Sequence, residues 1–578
     1  MISLWKNCFN NGLSRFTNGY SRLHHLSYIH HVGKEPLQAI TIGNLVQNSA
    51  TKYGDKTAII SVHDDRKITF REILSQSDKL AAGFLKLGLK SGDRVGLWAP
   101  NIIEWIISFA ASARVGLTTV ALNPAYQEDE LKYSINKVRI KALICPDAYN
   151  NIKFYEILCN VAPELLKSHP DHISCAKVPS LKSVITVSNA ELRGTYNYSE
   201  VLDFADDASV TQIKRLQNFV QSDAMANIQY SSGTTGKPKA ACLSHFQLVN
   251  NSYETGKRVE LNKGHHNICV QVPFFHVFGI VSAILPSHYF GSTMVLPSPM
   301  YNSAANLKAI DEQKCTVIYG TPTMFVDLVN LQRKNKRNLS ASIAMCGGSP
   351  CSPQLFRDMK EVLNLKRVKS IYGLTETTCV SFHSLPEDED ERKATCTVGH
   401  LGDHLEAKVV NENNEIVPMG TPGELCIRGY SVMLGYWGDE EKTKQSLGAD
   451  RWLYTGDQFV LQADGYGQVV GRLKDMIIRG GENIFPREIE DFLNTHPDIL
   501  ENYVIGLAHE RLGEEVCACV RMKSESKLNY ESLLEFCSGK LAHYKIPTKL
   551  KIVNSFPKTL SGKVQKYLLK QEIENGKL

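Results

Sequence analysis

The chain has 578 residues, of which 43% are hydrophobic and 22% are charged. This length predicts three to five folding units, and this composition is typical of a globular protein, which excludes a disordered chain, a collagen and a coiled coil. With 65 lysine and arginine residues against 60 aspartate and glutamate residues, the net charge is only +5, so no dedicated nucleic-acid-binding face is expected.

The first 40 residues differ in composition from the rest of the chain. No acidic residue precedes Glu35, whereas basic residues such as Lys6 and Arg15 are interspersed with apolar and hydroxyl side chains. An acid-free basic segment of this kind is typical of an organelle import presequence. Residues 1–40 are therefore interpreted as a mitochondrial targeting leader outside the fold, cleaved between residues 21 and 38. The alternative is a frayed basic tail.

From Thr41 onward, short apolar runs alternate with segments of helical periodicity. This alternation predicts an α/β fold, in which a large N-terminal domain contains stacked, largely parallel sheets covered by helices. An amphipathic helix is predicted over residues 70–87. Strands are predicted over residues 67–70, 94–98, 115–122, 142–145, 183–187, 270–272, 317–319 and 343–345.

A long stretch without Lys, Arg, Asp or Glu covers residues 264–307. Its prolines divide it into pieces too short to span a bilayer, so we expect no transmembrane segment here, but buried strands and a helix. The 15 cysteines include no Cys-x-x-Cys pair, which favours reduced, mostly buried thiols.

A loop rich in glycine and hydroxyl side chains follows the apolar stretch 225–228. Its glycines allow the backbone to approach a ligand closely, its hydroxyls donate hydrogen bonds, and its two lysines add positive charge, as a polyphosphate requires. Proline after the first lysine excludes a Walker A loop. A polar surface turn is the alternative. The loop consists of Ser231, Ser232, Gly233, Thr234, Thr235, Gly236, Lys237, Pro238 and Lys239.

Composition changes again near residue 472. The segment 471–476 separates a glycine-rich run from a remaining stretch with its own alternation of strands and helices. We therefore predict a large domain over residues 41–473 and a small, mobile C-terminal α+β domain over residues 474–578. The charged link between the two domains is interpreted either as a hinge or as an ordinary loop. The spacing of its residues does not distinguish these two interpretations.

Together with later motifs, the glycine-rich loop resembles the adenylate-forming, AMP-binding superfamily of acyl-CoA synthetases, 4-coumarate ligases and luciferases. The resemblance covers nearly all of residues 41–570, and is greatest to medium-chain acyl-CoA ligases. It implies an ATP-dependent ligase that forms an acyl-AMP from a fatty acid, transfers the acyl group to CoA and releases AMP and pyrophosphate in the mitochondrial matrix. The later motifs occupy residues 273–279, 372–377, 423–429, 454–457, 471–475, 479–483 and 561–563.

The resemblance also implies roles for individual residues. A carboxylate attacks the α-phosphorus of ATP only if cations neutralise the repulsion between the two anions. Glu376 and Thr234 would hold Mg²⁺, and Lys563 would contact the substrate carboxylate and the α-phosphate. Read alone, Glu376 could equally be a carboxylate at a helix start, and Lys563 an ordinary lysine of a basic tail.

Further roles concern the nucleotide and the acyl chain. Asp457 and Arg472 would bind ribose or phosphate, although a turn cap and a surface ion pair are the alternatives. His276 would border the acyl pocket, or else be a core histidine. The adenine loops would be Gly347, Gly348 and Ser349 with Tyr372, Gly373 and Thr375.

The second half-reaction, thiol attack on the acyl-adenylate, implies a different arrangement of the two domains. Lys474 would be the hinge, and Gly480 and Gly481 would line the thiol channel after rotation, although a glycine pair is also common in tight turns.

One departure from the family pattern concerns activity. Ala240 occupies a position that is usually glycine, where a Cβ would be a problem if the backbone required a positive φ. A pseudoenzyme that binds acyl chains or AMP is therefore one alternative to a ligase. An oxidative luciferase and a structural scaffold are the others.

Overall fold

The computed structural model describes residues 26–231, 238–349, 351–388, 391–480, 482–523, 526, 528–559 and 562–578. Over these ranges the chain forms four sheets with helices packed against them. Three of the sheets are built from residues 28–472, and the fourth from residues 477–552.

The first large sheet has eight strands, and its central part is parallel. These central strands are buried on both faces, which explains their nearly continuous apolar runs. In spatial order the strands are Gly435–Tyr436, Lys239–Ser244, Met225–Ser231, Thr118–Ala121, Arg94–Leu97, Ala142–Pro146, Ser183–Val187 and Tyr196–Asn197.

The second large sheet has nine strands, and six neighbouring strands of its centre are parallel. Antiparallel strands extend it at both edges. In spatial order the strands are His400–Leu401, Phe382–His383, Arg367–Tyr372, Ile343–Cys346, Val317–Gly320, Asn267–Val270, Thr293–Leu296, Thr57–Ser61 and Arg66–Thr69.

Helices cover the sheets and join their strands. The helix Phe70–Lys86 begins with a capping box, in which Thr69 and Glu72 satisfy each other's backbone N–H groups, and its apolar face is buried. The other helices of the large sheets are Ile42–Tyr53, Ile103–Arg114, Glu128–Val138, Phe154–Val161, Tyr198–Asp203, Asp207–Leu216, His245–Arg258, Val277–Gly279, Leu285–Phe290, Ser303–Glu312, Pro322–Asn335, Pro353–Val362, Glu391–Cys396 and Glu440–Ser446.

A third sheet of five antiparallel strands was not predicted, because one strand lies in the segment interpreted as a leader and three others were considered only as family motifs. Its core is buried, with residues such as Leu425, Ile427 and Phe459 facing the main apolar cluster. In spatial order the strands are Tyr28–His31, Leu405–Val410, Gly423–Gly429, Leu453–Leu461 and Gly467–Arg472.

The strand Tyr28–His31 differs from the leader prediction, which excluded all of residues 1–40 from the fold. It pairs antiparallel with Leu405–Val410, and Ser27 N donates to Val417 O over 2.8 Å. Its main chain therefore completes a sheet edge, which cleavage beyond residue 31 would expose. Residues 1–25 lie outside the described ranges.

The fourth sheet belongs to the C-terminal part of the chain. An apolar core, separate from that of the other sheets, lies between its long hairpin and the first two of the three helices named below. The strands are Ile477–Arg479, Glu482–Ile484, Ile499–His509, Gly513–Met522 and Lys549–Ile552, and the helices are Pro486–Leu493, Tyr530–Cys537 and Lys566–Glu574.

The predicted α/β architecture is confirmed, and each predicted strand lies on or beside an observed one. The strand predicted at 270–272 is observed at Asn267–Val270. The prediction started too late, because the polar side chain of Asn267 obscured the start of the apolar run. The described cysteines are free thiols, all buried except Cys351 and Cys396. Among the described helices we find none that combines the length and apolarity needed to cross a bilayer.

Candidate active site

The predicted site residues converge where strands of the two large sheets end. Ser231 closes the strand Met225–Ser231, Gly347 follows Ile343–Cys346, and Tyr372 closes Arg367–Tyr372. The carboxyl ends of parallel strands are where open α/β sheets bind ligands. The candidate site is therefore a cleft between the sheets.

Glu376 is held by hydrogen bonds from two different strands. Ser231 Oγ and Tyr436 Oη donate to Glu376 Oε1 over 2.8 and 2.9 Å. Glu376 lies in a short 3-10 turn, Thr375–Thr377, and Met433 N donates to its backbone oxygen over 2.8 Å. Its carboxylate thus points toward the end of the predicted phosphate loop, and does not act only as a helix cap.

Asp457 lies at the centre of a second polar group. Its side chain is 3% exposed, Tyr372 Oη donates to Asp457 Oδ2 over 2.7 Å, and Arg472 Nε lies 3.1 Å from Asp457 Oδ1. Asp457 and Arg472 face each other on neighbouring antiparallel strands, so the sheet register fixes their separation. Burial, followed by the Asp457 carboxylate, raises the pKa of the Tyr372 hydroxyl well above its usual range.

The predicted adenine loops approach their neighbours too closely to accept side chains. A Cβ at Gly347 would lie 2.2 Å from Ile371 Cγ1, and a Cβ at Gly373 would lie 1.8 Å from Cys379 O. Both positions therefore require glycine. Ser349 Oγ donates to Gly348 O over 2.9 Å, so its hydroxyl supports the loop.

Lys563 reaches this cleft from the C-terminal part of the chain. Its Cε lies 3.5 Å from the position that a Cβ would take on Gly348. Burial, followed by the positive charge of Arg472, lowers the pKa of the Lys563 ammonium, whereas Asp457 and Glu376 oppose this. The structure thus brings Lys563 beside Gly348, where the charges of Asp457 and Glu376 act on its ammonium.

His276 lies at the same cleft, before the helix Val277–Gly279. Phe278 N donates to its Nδ1 over 3.1 Å, which places the remaining proton of the neutral ring on Nε2. Burial, followed by the charge of Lys563, lowers the pKa of His276 to about 3. The imidazole is therefore neutral at physiological pH.

Most of the predicted phosphate loop, Ser232, Gly233, Thr234, Thr235, Gly236 and Lys237, lies outside the described residues. Its two ends are described. Pro238 O accepts a hydrogen bond from Tyr133 Oη over 3.1 Å, and Lys239 Nζ lies 4.9 Å from the centre of the Tyr436 ring.

Ala240 has an ordinary strand conformation. It pairs with Tyr230 across the antiparallel strands, its carbonyl accepts a hydrogen bond from Trp437 N over 2.8 Å, and it is absent from the described residues with positive φ. Its methyl group is buried in an apolar cluster. The condition under which alanine would be a problem here, a positive φ, is therefore not met, which weakens the argument for a damaged site.

Replacing Ala240 by glycine should leave acyl-AMP formation within twofold of the unaltered protein. We expect the free energy of unfolding to fall by about 1 kcal/mol, because glycine is less favourable than alanine inside a strand. Pyrophosphate exchange and thermal unfolding measure the two effects. A large gain of activity would show that the alanine impairs the loop after all.

Tyr436 is a site residue that we did not predict individually. It lies seven positions beyond the motif 423–429 and is 60 positions from Glu376. Glu424, which accepts from Gly456 N over 2.9 Å, was named only as part of a motif.

The predicted hinge lies between the third and fourth sheets. Lys474 is exposed in the 3-10 turn Leu473–Asp475, which directly follows the strand Gly467–Arg472. Gly480 has φ of +61° and donates to Leu512 O over 2.7 Å, as in a tight turn. Gly481 lies outside the described residues.

Comparison with family models identifies the chain. The AMP-binding enzyme model matches residues 46–437, and the model of the AMP-binding enzyme C-terminal domain matches residues 488–563. The chain belongs to the AMP-binding enzyme family. This confirms the resemblance noted in the motifs.

Relatives within the AMP-binding enzymes extend over almost the whole chain. The mitochondrial medium-chain acyl-CoA ligase ACSF2 of Danio rerio is 42% identical over 95% of this chain and 91% of its own length, and the Homo sapiens ACSF2 is 39% identical over 95% and 90%. The putative acyl-CoA synthetase YngI of Bacillus subtilis (strain 168) is 35% identical over 92% and 97%.

Solved structures of other enzymes share the fold. The ATP-bound MatB of Rhodopseudomonas palustris has a TM-score of 0.76 and 25% identity, covering 92% of this chain and 99% of its own. An anthranilate CoA ligase, AuaEII, in complex with anthranoyl-AMP has a TM-score of 0.82 at 24% identity, covering 94% and 98%.

Proposed function

We propose that this AMP-binding enzyme is a medium-chain fatty acid–CoA ligase that works through an acyl-AMP. The observation that carries the proposal is the approach of Lys563 to Gly348, because it brings a C-terminal cation into the predicted nucleotide cleft, where the charges of Asp457 and Glu376 act on it. The ACSF2 relatives, which are named as medium-chain acyl-CoA ligases, support the choice of substrate.

In the first half-reaction, the fatty acid carboxylate attacks the α-phosphorus of ATP and pyrophosphate leaves. We infer that the Lys563 ammonium neutralises the carboxylate and α-phosphate as they approach each other. Asp457 accepts hydrogen bonds from the ribose, and Tyr372 and Arg472 hold its carboxylate in place. Neutral His276 borders the acyl chain without adding a second cation beside Lys563.

Mg²⁺ fits the acidic residues of this cleft. Among the described residues no three His, Cys, Asp or Glu side chains are grouped to hold a metal ion by themselves. Mg²⁺ in phosphate sites needs only one or two protein oxygens, since waters and phosphates complete its coordination. Glu376, with Thr234 outside the described ranges, would hold it. When bound, it would neutralise charge on the phosphates.

In the second half-reaction, the CoA thiol attacks the acyl-AMP carbonyl, the acyl–phosphate bond breaks and AMP leaves. This step needs no activated carboxylate, so Lys563 can withdraw. We propose that the domain over residues 474–578 then turns on the domain over residues 41–473 at Lys474, with Gly480 and Gly481 lining the path of the thiol.

The experiment that tests the ligase proposal uses the purified chain with ATP, Mg²⁺, CoA and a series of fatty acids. We expect acyl-CoA products, identified by mass, with AMP released in equal amount and medium-length chains preferred. Adding oxygen without CoA tests the luciferase alternative by light emission. AMP binding without AMP formation would support the pseudoenzyme alternative instead.

We further propose that the protein is mitochondrial and resides in the matrix, as the names of the ACSF2 relatives and the basic N-terminal segment suggest. Because Ser27 and Tyr28–His31 pair with the third sheet, cleavage is expected before Leu26.

A reporter fused to residues 1–25 should enter mitochondria, and the mature enzyme should begin at or before Leu26. Imaging of the fusion and mass analysis of the processed N-terminus measure both. A version lacking residues 1–25 should keep its thermal stability, whereas one lacking residues 1–40 should lose it. A cytosolic reporter would reject the leader, and a mature N-terminus beyond residue 31 would reject the cleavage position.

A further inference from the structure

Lys563 enters the cleft on a turn that contacts one particular helix of the large sheets. Thr323 Oγ1 donates to Gly562 O over 3.4 Å, and Gly562 has φ of +81°. A Cβ at Gly562 would lie only 2.7 Å from Thr321 Oγ1. The backbone of the turn therefore rests directly on the start of the helix Pro322–Asn335.

The hydroxyl of Thr321 has no role within its own helix. Threonine directly before a helix commonly caps it, as Thr69 does before Phe70–Lys86, but the Thr321 hydroxyl makes no cap hydrogen bond. Its side chain is 2% exposed, and within the described ranges its Oγ1 has no hydrogen-bond partner. The Thr321 hydroxyl instead lies next to the Gly562 backbone, 2.7 Å from the position that a Cβ on Gly562 would take.

Asp327 continues the same surface one turn further along the helix. Residues four apart share a helix face, so Asp327 lies on the side of Thr323. Tyr301 Oη donates to Asp327 Oδ2 over 3.0 Å. Burial raises the pKa of Asp327, and the hydrogen bond from Tyr301 opposes this, followed by the charges of Lys558 and Arg521 in the C-terminal part of the chain. Both cations pair with Glu501, Lys558 Nζ over 2.8 Å and Arg521 Nη2 over 2.9 Å. Asp327 therefore adds a second carboxylate whose charge acts on this group of C-terminal side chains.

We propose that Thr321, Thr323 and Asp327 form a docking edge that holds the Gly562–Lys563 turn against the large domain during acyl-AMP formation. They are positioning residues for Lys563, since they act through the turn that carries it. The inference rests on the proposed ligase function. Because the turn has to leave the cleft before CoA attacks, the docking edge should contribute to the first half-reaction and not to the second.

Replacing Thr323 by valine tests this inference. The substitution preserves the side-chain shape but removes the donor to Gly562 O, so acyl-AMP formation, measured by pyrophosphate exchange, should slow about three- to tenfold. Thioester formation from supplied acyl-AMP should remain unchanged. Thr323→Ser should restore the rate, since the hydroxyl returns. Thr51→Val is the matched control, because the Thr51 hydroxyl bonds only within its own helix.

A second pair of substitutions tests the close contact directly. Gly562→Ala should slow acyl-AMP formation more than tenfold, because the new Cβ meets Thr321 Oγ1. Adding Thr321→Ala removes that obstacle and should recover part of the loss, although the positive φ at 562 still disfavours alanine. Recovery in the double variant identifies contact at the docking edge as the cause.

Several results would overturn the inference. If Thr323→Val keeps the full rate of pyrophosphate exchange, or slows both half-reactions equally, the docking edge does not position Lys563. If Thr321→Ala rescues nothing in Gly562→Ala, the contact is not the cause of the defect. If the unaltered protein forms no acyl-AMP from any fatty acid, the proposed function itself fails. If the unaltered protein is active and the Thr323 variant is equally active, only the docking edge fails.

Discussion

Replacing Lys563 by alanine should abolish acyl-AMP formation while sparing thioester formation from supplied acyl-AMP. Lys563 is the cation that the C-terminal part of the chain brings beside Gly348, within the influence of the Asp457 and Glu376 charges. Removing one preorganised charge or donor from a water-poor site typically costs a factor of about 100 to 1,000 in rate. Pyrophosphate exchange measures the first step, and acyl-CoA formation from synthetic acyl-AMP measures the second.

The matched control for this prediction is Lys540→Ala. Lys540 is an exposed lysine of the same C-terminal region, whose Nζ lies 4.5 Å from the centre of the Phe536 ring. We expect both half-reactions of this variant to match the unaltered protein. If Lys563→Ala weakens both half-reactions to the same extent, its charge serves folding or domain packing, and the assignment of Lys563 to the first step is lost.

Much of the parallel core could be predicted because its strands are short apolar runs buried on both faces. Ala142–Pro146 and Ser183–Val187 are recognisable from their own residues, without knowledge of their partners. The strand Tyr28–His31 could not be, because its composition resembles a leader and its partner, Leu405–Val410, lies more than 370 positions away. Local pattern carries no information on such a pairing.

The candidate site likewise combines residues that the sequence predicted with contacts that it could not predict. Motif resemblance predicted Tyr372, Asp457 and Arg472 as members of one site, but the hydrogen bond from Tyr372 to Asp457 follows only from the meeting of two sheets. Thr321 and Thr323 lie in none of the motifs noted in the sequence, and nothing in their chemistry marked them. Their significance comes from the position of Gly562, a contact between distant parts of the chain that only the structure reveals.

Replacing Lys474 by proline should have the opposite effect to Lys563→Ala, because it acts on the change between the two half-reactions. The strand Gly467–Arg472 ends the third sheet, and Ile477–Arg479 begins the fourth, so any rotation between them is confined to the short link that contains Lys474. Proline fixes φ near −65°, which suits the observed 3-10 turn but prevents a large rotation of that bond. Acyl-AMP formation should therefore persist while thioester formation falls at least tenfold.

Lys474→Ala distinguishes the effect of restricting the backbone from the effect of losing the side chain. Alanine removes the exposed ammonium but leaves φ free, so both half-reactions should remain close to normal. Thermal unfolding of both variants shows whether either substitution disturbs the fold itself. If the proline variant forms the thioester at the normal rate, the link does not rotate at residue 474. If the alanine variant fails as well, the Lys474 side chain itself is required for the second half-reaction, since alanine removes that side chain beyond Cβ and leaves the backbone free.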